Sequence, residues 1–389
     1  RYGRNIGLNK LFLHQTASVV FDIMKPNYPD LVDSEAFITN VIQNEELRFS
    51  ETLDHGLKIL NEELEELRAQ DVQTVPGELI FKLYDTFGFP VDIVRDVVRD
   101  EGMALDMEGF DQAMDEQRER SKSIVTFTSV ADAYKNLSSQ GVTTEFTGYA
   151  GLSGDAEALV LVRDGQEVEE IGTGDEVEIV TAQTPFYAES GGQVGDVGTI
   201  SAEDFEMQVT DTIKDPSGLI VHRGKVTSGQ LAKGASVHLE VSREARSATA
   251  ANHTVTHILH HALQKVLGNH IKQAGSAVAP DRMRFDFTHF EQVDHDTIIE
   301  LERIVNTRVR ENDDVHIEEM DAEEAFKTGA KALFEEKYGD KVRVISLGEY
   351  SKELCGGTHT TRTGNIGLFR ITSEASVASG VRRIEAVTG

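Results

Sequence analysis

The sequence is short of cysteine, of basic residues and of long apolar runs. Its single cysteine, Cys355, cannot close an internal disulfide, which favours a reducing compartment. No stretch approaches the roughly 18 consecutive apolar residues that cross a bilayer as a helix; one of the longest unbroken pieces is Ala158 to Val162. A membrane function is therefore not expected, and a cytoplasmic location is. Only 38 lysines and arginines stand against 67 aspartates and glutamates, a net charge of −29. That balance lowers the expectation of a polyanion partner without removing it, because nucleic acid is held by local basic patches and not by average charge. The start, Arg1-Tyr2-Gly3-Arg4, has neither an initiator Met nor an apolar signal region and reads as cut from a longer chain.

What is present points to a multidomain α+β protein. A length of 389 residues accommodates two or three domains, and 39% hydrophobic content with 18 Phe argues against wholesale disorder. From Leu8 to about Phe127 apolar residues recur at helical spacings. Leu53, Leu57, Leu60, Leu64 and Leu67 predict one long amphipathic helix, whose solvent face is Asn61-Glu-Glu-Leu-Glu-Glu-Leu-Arg68. Pro76-Gly77 and Gly88-Phe89-Pro90 separate further helices. From Thr128 to about Ser242 the pattern becomes short extended runs, Ala158 to Val162, Glu176 to Val180 and Ala235 to Val241, with Asp164-Gly165 as a hairpin turn. This zone reads as a small β-barrel. The third zone opens on a helical run from Ser247 to Leu267. It continues with helices around Asp296 to Val309 and Ala322 to Lys337, and strands Met283 to Phe287, Val342 to Ile345 and Leu368 to Ile371. The expected domains are 1–127, 128–242 and 243–389.

The chemistry concentrates in the third zone. His253-Thr-Val-Thr-His257 puts two imidazoles one helical turn apart on one face. The only cysteine lies in Cys355-Gly-Gly-Thr-His359, where a glycine turn can bring thiolate and imidazole together. Thiolate and imidazole donors suit tetrahedral zinc and disfavour magnesium or calcium. An HxxxH pair alone is compatible with an ordinary helix surface, and a lone cysteine with a small buried hydrophobe; the two pairs together favour a shared metal site. His260 lies near the same face, as a replacement ligand or as a hydrogen-bond partner of one. The pair lacks the glutamate of HExxH, so zincin-type peptide hydrolysis is not expected. Four protein ligands would make the site structural, whereas an open position would let zinc orient substrate or activate water, with Thr254, Thr256, Gln273 and Ser276 as polar neighbours. Tyr187 to Gly195 is polar and Gly-rich, suited to close approach of a ligand or to a tight turn. Arg282, Arg284, Arg382 and Arg383, or a patch of Lys327, Lys331, Lys337 and Lys341, are candidate phosphate contacts, with plain solvation as the alternative.

In combination these motifs resemble the editing region of the alanyl-tRNA synthetase family. The resemblance rests on His253 to His257, Cys355 to His359, Gln273-Ala-Gly-Ser276 and Arg284-Phe-Asp-Phe287. It extends to Pro185-Phe-Tyr-Ala-Glu-Ser-Gly-Gly-Gln-Val-Gly195 and Leu83-Tyr-Asp-Thr-Phe-Gly-Phe-Pro-Val91, and so covers essentially the whole chain. It implies a helical tRNA-recognition region, a small β-barrel and a zinc-containing α+β editing domain. The family's aminoacylation domain and its oligomerisation domain are expected to be absent. The implied reaction is hydrolysis of tRNA(Ala) wrongly carrying serine or glycine, within a parent protein that ligates alanine to tRNA(Ala) using ATP. His253, His257, Cys355 and His359 would hold zinc, and Thr256 and Gln273 would serve amino-acid discrimination and site geometry. Asp85 or Asp92 would read the acceptor-stem G·U pair, with helix capping or a turn contact as the alternative. Arg382 and Arg383 are further candidates for tRNA contact. The competing readings are a freestanding trans-editing deacylase, a structural zinc-bearing tRNA-binding module without catalysis, and a general metallohydrolase.

Overall fold

A computed structural model describes residues 8, 10–29, 31–122, 134, 137, 141–331, 341–378 and 380–389. The expected boundary at residues 127 and 128, and Lys337 of the candidate basic patch, lie outside them. The chain divides into two compact units, 1–128 and 129–389.

The first unit is helical: α1 (Leu13–Met24), α2 (Leu31–Ala69), α3 (Gly77–Asp85), α4 (Val91–Asp100) and α5 (Met107–Lys122). The leucine rhythm of α2 is its packing stripe. Leu53, Leu60 and Leu64 are buried against Ile80 and Leu83 of α3 and Ile93, Val94 and Val98 of α4. Pro76 and Pro90 stand at the N-caps of α3 and α4 with φ of −62° and −63°, where their missing N–H removes no helical hydrogen bond. Phe89, from the Phe-Gly-Phe-Pro segment, is fully buried in the same core.

The second unit begins as a closed barrel of six strands, β1 (Ser153–Arg163), β2 (Glu176–Thr181), β3 (Gly198–Ala202), β4 (Phe205–Lys214), β5 (Ile220–Ser228) and β6 (Ser236–Val241). Antiparallel pairing runs β6-β3-β4-β5-β2-β1, and β1 then pairs back with β6, so no barrel edge is left open. Asp164 and Gly165, with φ of 52° and 76°, turn the chain out of β1, as expected for a two-residue hairpin. A bulge between Ala158 and Val160 reverses side-chain parity along β1. Ala156, Ala158 and Leu161 therefore face the barrel core, whereas Val160 and Val162 join an outer cluster with Val180, Leu219, Val221 and Tyr134.

Ser242 follows β6 and caps the next helix, α6 (Arg243–Leu267), its hydroxyl accepting from the Ala245 N–H at 3.4 Å. Further on come β7 (Gln273–Val278), β8 (Met283–Thr288), α7 (His295–Glu311), β9 (Val315–Asp321), α8 (Ala322–Lys327), β10 (Lys341–Leu347), β11 (Ser351–Leu354), β12 (Phe369–Ala378) and β13 (Val381–Thr388). They form an antiparallel sheet ordered β7-β8-β13-β12 and a second ordered β9-β10-β11. Val255, Ile258, Leu259 and Leu263 of α6 pack with Leu301 and Val305 of α7 over Phe285, Phe287 and Ile384. The fold is thus a multidomain α+β arrangement containing a closed barrel.

One expected helix is shorter than its periodicity suggests. The run predicted over Ala322 to Lys337 ends at Lys327, because Thr328 and Gly329, the latter at φ 84°, turn the chain out of the helix. Ala330 then packs inward and Lys331 bridges Glu353 of β11; residues 332–340 lie outside the described set.

Candidate metal centre

The helix α6 is unusual in being buried almost all round through its middle, from Thr249 to His260. It leaves the barrel through Arg246, whose Nε reaches both carboxylate oxygens of Asp196 at 2.9 Å. The same guanidinium donates to Gly148 O at 3.0 Å and Pro185 O at 2.8 Å. This fully partnered buried ion pair fixes the root of the helix that carries His253 and His257.

The loop after β11 closes over that helix. One nitrogen from each of His253, His257 and His359 and the Cys355 sulphur lie within 4.8 Å of one another. Cys355 Sγ is 3.4 Å from His253 Nε2 and 3.3 Å from His359 Nε2. A tetrahedral zinc with bonds of about 2.0–2.3 Å has ligand-to-ligand edges of about 3.3–3.6 Å, and the two sulphur–nitrogen spacings match such edges. His257 Nε2 supplies an independent test of fit: it is buried with no hydrogen-bond partner, a cost normally avoided unless something else satisfies the atom. Gly357 lets the loop approach, since a Cβ there would drive into the His253 ring.

Each imidazole is oriented by its other nitrogen. The Gln193 amide oxygen lies 2.8 Å from His253 Nδ1 and accepts from the Thr358 N–H at 2.9 Å. The hydroxyl of Thr254 donates to Ala250 O at 2.8 Å, so it accepts from His359 Nδ1 at 3.2 Å as well as from Thr360 N at 3.1 Å. His257 Nδ1 pairs with Glu353, whose other oxygen is 2.9 Å from His260 Nδ1. His260 is thus a partner of Glu353 and lies outside the ligand set. All three ligand rings turn Nε2 inward, the arrangement by which protein groups fix a metal-binding tautomer.

The electrostatics favour a cation. Burial opposes ionisation of Cys355, but the imidazoles of His253, His359 and His257 outweigh it and hold the thiol well below its ordinary value. Burial likewise opposes a charge on Glu353, yet contact with His257 and hydrogen bonds from His257 and His260 hold its carboxyl below the ordinary range. His257 responds in the opposite sense, since Glu353 and Cys355 overcome its burial and raise it above its ordinary value. Burial lowers His359 to about 3, leaving it a neutral donor.

The backbone of the Cys-Gly-Gly turn is held separately. Arg343 donates to Cys355 O and Gly357 O, while the Tyr149 hydroxyl donates to Gly356 O. The Arg343 guanidinium lies 3.9 Å over the Tyr149 ring.

The other candidate residues are dispersed. Thr256 is buried and donates to Asn252 O at 2.8 Å, within its own helix. Gln273 opens β7 and donates to the Ser276 hydroxyl at 3.2 Å. Arg382 and Arg383 on β13 form two-pronged pairs with Glu374 and Asp286. In the first unit, Asp85 ends α3 and accepts from Gln117, and Asp92 in the first turn of α4 is 3.2 Å from Arg95. Sequence reasoning missed Glu353 and Gln193 as individuals. Glu353 had one signal, its position two residues before Cys355, the spacing that puts side chains on the same face of extended backbone.

Comparison with known proteins places the chain. The family model described as "tRNA synthetases class II (A)" matches residues 1–245, and the one described as "Threonyl and Alanyl tRNA synthetase second additional domain" matches residues 342–385. The chain belongs to the class II (A) tRNA synthetases. Over its whole length it is similar to alanine–tRNA ligases, 59% identical to that of Desulfosudis oleivorans across 389 residues and 46% identical to that of Pseudomonas savastanoi pv. phaseolicola across 390. In each case 100% of this chain aligns with 44% of the relative, so the chain spans less than half the length of these curated relatives. The match over 1–245 corrects one expectation. The aminoacylation part of the family is represented in this chain and is not absent. The sequence reading took its activity from the metal-ligand motifs, all beyond residue 245, and these carry no information about the preceding residues. No helix among the described residues is long and apolar enough to cross a membrane.

Proposed function

We propose that the chain hydrolyses the ester of tRNA(Ala) wrongly carrying serine or glycine, at a zinc centre held by His253, His257, Cys355 and His359. The observation that carries this reading is the convergence of those donors, with Cys355 and His359 inside the second-additional-domain match. A zinc ion held by these residues would supply Lewis-acid chemistry if its coordination opened to a substrate. Gln193, Thr254 and Glu353 hold the ligand imidazoles, and Arg343 and Tyr149 hold the turn that presents Cys355, so that the site meets substrate preorganised.

Serine exceeds alanine by one hydroxyl, which a small synthetic pocket rejects weakly and a second pocket can reward with hydrogen bonds. In this reading Thr256 and Gln273 serve that discrimination and the shape of the pocket. Asp85 or Asp92 reads the acceptor-stem G·U pair through the guanine amino group, and Arg382 and Arg383 contact the RNA after exchanging their carboxylate partners. In this reading 1–127 serves tRNA recognition, 128–242 is the barrel and 243–389 the editing domain, with the first two zones lying in the match that represents the family's aminoacylation part. The longer protein would ligate alanine to tRNA(Ala) using ATP, in the cytoplasm. A second reading, a structural zinc-bearing tRNA-binding module, is favoured by the complete set of four protein donors.

The test is release of labelled serine from Ser-tRNA(Ala), beside Ala-tRNA(Ala), by the 389-residue chain and by Cys355→Ala with its fold and zinc content checked. Selective release that disappears in Cys355→Ala is expected. No release from a folded, zinc-loaded chain that still binds tRNA would overturn the deacylase reading in favour of the structural module.

A further inference from the structure

Behind His257 the hydrogen bonds form a line that runs outward through α6, and their directions can be read from its far end. Lys331 has only donors, and its Nζ lies 2.9 Å from Gln264 Oε1. That assigns the Gln264 amide: its oxygen faces Lys331, and its NH2 donates to Ile271 O at 3.0 Å and to His260 Nε2 at 3.0 Å. His260 Nε2 must therefore accept, which places the ring proton on Nδ1, 2.9 Å from Glu353 Oε1. The second oxygen of Glu353 is then the acceptor for His257 Nδ1, and His257 Nε2, buried and otherwise unpartnered, is left to face Cys355 and the other two imidazoles.

We propose that Glu353 is the positioning residue of this metal centre, and that the chain Lys331–Gln264–His260–Glu353 fixes which nitrogen His257 offers to the ion. The inference rests on the reading of His253, His257, Cys355 and His359 as metal ligands. It assigns His260 a supporting part without ligation. Its geometric basis is that one carboxylate serves two imidazoles from successive turns of α6, both at Nδ1. Glu353, His257 and His260 are all buried, so water does not compete for these bonds. The carboxylate is anchored from β11, where Leu354 N donates to Lys331 O at 2.9 Å, so both ends of the chain attach to one backbone bridge.

Cobalt(II) titrated into the metal-stripped 389-residue chain tests this by affinity and by visible absorption, neither of which requires turnover. Glu353→Gln should bind one ion per chain about 10–100-fold more weakly, with a shifted ligand-field spectrum and a retained thiolate-to-cobalt band. Glu353→Asp should recover part of the affinity. His260→Gln should still bind one ion with that band intact. Wild-type affinity and spectrum in Glu353→Gln would overturn the proposal, as would complete loss of the ion in His260→Gln, which would make His260 a ligand. Should Glu353→Gln not fold, Gln264→Leu carries the test at a partly exposed position: weaker cobalt binding supports the proposal and unchanged binding overturns it. A wild-type chain that binds cobalt yet, zinc-loaded, releases no serine would defeat the editing reading alone.

Discussion

The Gln193 amide oxygen, from the loop between β2 and β3, accepts from His253 Nδ1 of α6 at 2.8 Å and from the Thr358 N–H at 2.9 Å. One side chain thus joins a barrel loop, the helix that carries two of the four candidate donors and the Cys-Gly-Gly-Thr-His turn. Replacing it with leucine leaves His253 unsupported and Thr358 N–H unpaired. Gln193→Leu is expected to lower zinc affinity by about 10-fold or more, read by competition with a chromophoric chelator. Unchanged affinity in a folded variant would mean that the ring is held by packing alone.

Removing the metal should cost stability in the second unit. An ion that binds only the folded state at a free concentration 100 times its dissociation constant contributes about 2.7 kcal/mol. Chelation should therefore lower the thermal midpoint of the transition involving α6 and β11, and zinc should restore it. Hydrogen exchange read at those two elements reports the change directly; identical protection with and without zinc would count against the site.

Zinc uptake should depend on pH in a definite direction. Burial disfavours charging His257, but Glu353 and Cys355 overcome it and raise the imidazole above its ordinary value. Near neutrality an ion must then displace its proton, so affinity should rise with pH by up to about tenfold per unit for one proton released. Calorimetry in buffers of different ionisation enthalpy counts that proton. A release of zero would contradict the account.

Arg246 and Asp196 form a buried pair with 8% and 4% side-chain exposure. Truncating one partner leaves the other charged and unpaired, at a cost of about 3–5 kcal/mol. Asp196→Ala should therefore lose stability on that scale in urea unfolding, and the double change to apolar residues should recover part of it. Cost-free truncation would show that water reaches the pair.

His222 gives the barrel its own acid sensitivity. Burial lowers it to about 4 from an ordinary 6.5, against a hydrogen bond to Ile179 O. Between those values the unfolded chain takes up a proton that the folded chain refuses. The stability associated with neutral His222 is complete above about pH 6.5 and is lost as pH falls towards about 4, at up to about 1.4 kcal/mol per pH unit. His222→Gln should flatten this part of the profile in denaturant titrations at pH 7 and pH 5; an identical slope would assign the sensitivity to other groups.

Legibility in the sequence followed the range of the interaction. The leucine stripe of α2 and the strands Glu176–Thr181 and Ser236–Val241 are local patterns, visible as periodicity. His253, His257, Cys355 and His359 were visible because they fall in two closely spaced pairs, one of them holding the only cysteine, and their ligand chemistry is shared. Two of the groups that orient them, Gln193 and Glu353, were not. Gln193 meets His253 across 60 residues and Glu353 meets His257 across 96, and neither side chain belongs to a paired motif that marks it out as a partner of a ring so far along the chain. The bulge in β1 was equally hidden, since an alternating run does not reveal where its parity reverses. At Gly329 the helix-ending signal was present and was outweighed by the alanine-rich periodicity around it.

The four donors also carry a consequence for biosynthesis. His253 and Cys355 are separated by 102 residues, so at ordinary elongation rates the two-histidine half of the site waits about 5–20 s for its thiolate to be made. During that interval α6 has its imidazoles but no sulphur to set against them. The Cys-Gly-Gly-Thr-His turn can therefore seat on α6 only well after the two histidines have left the ribosome.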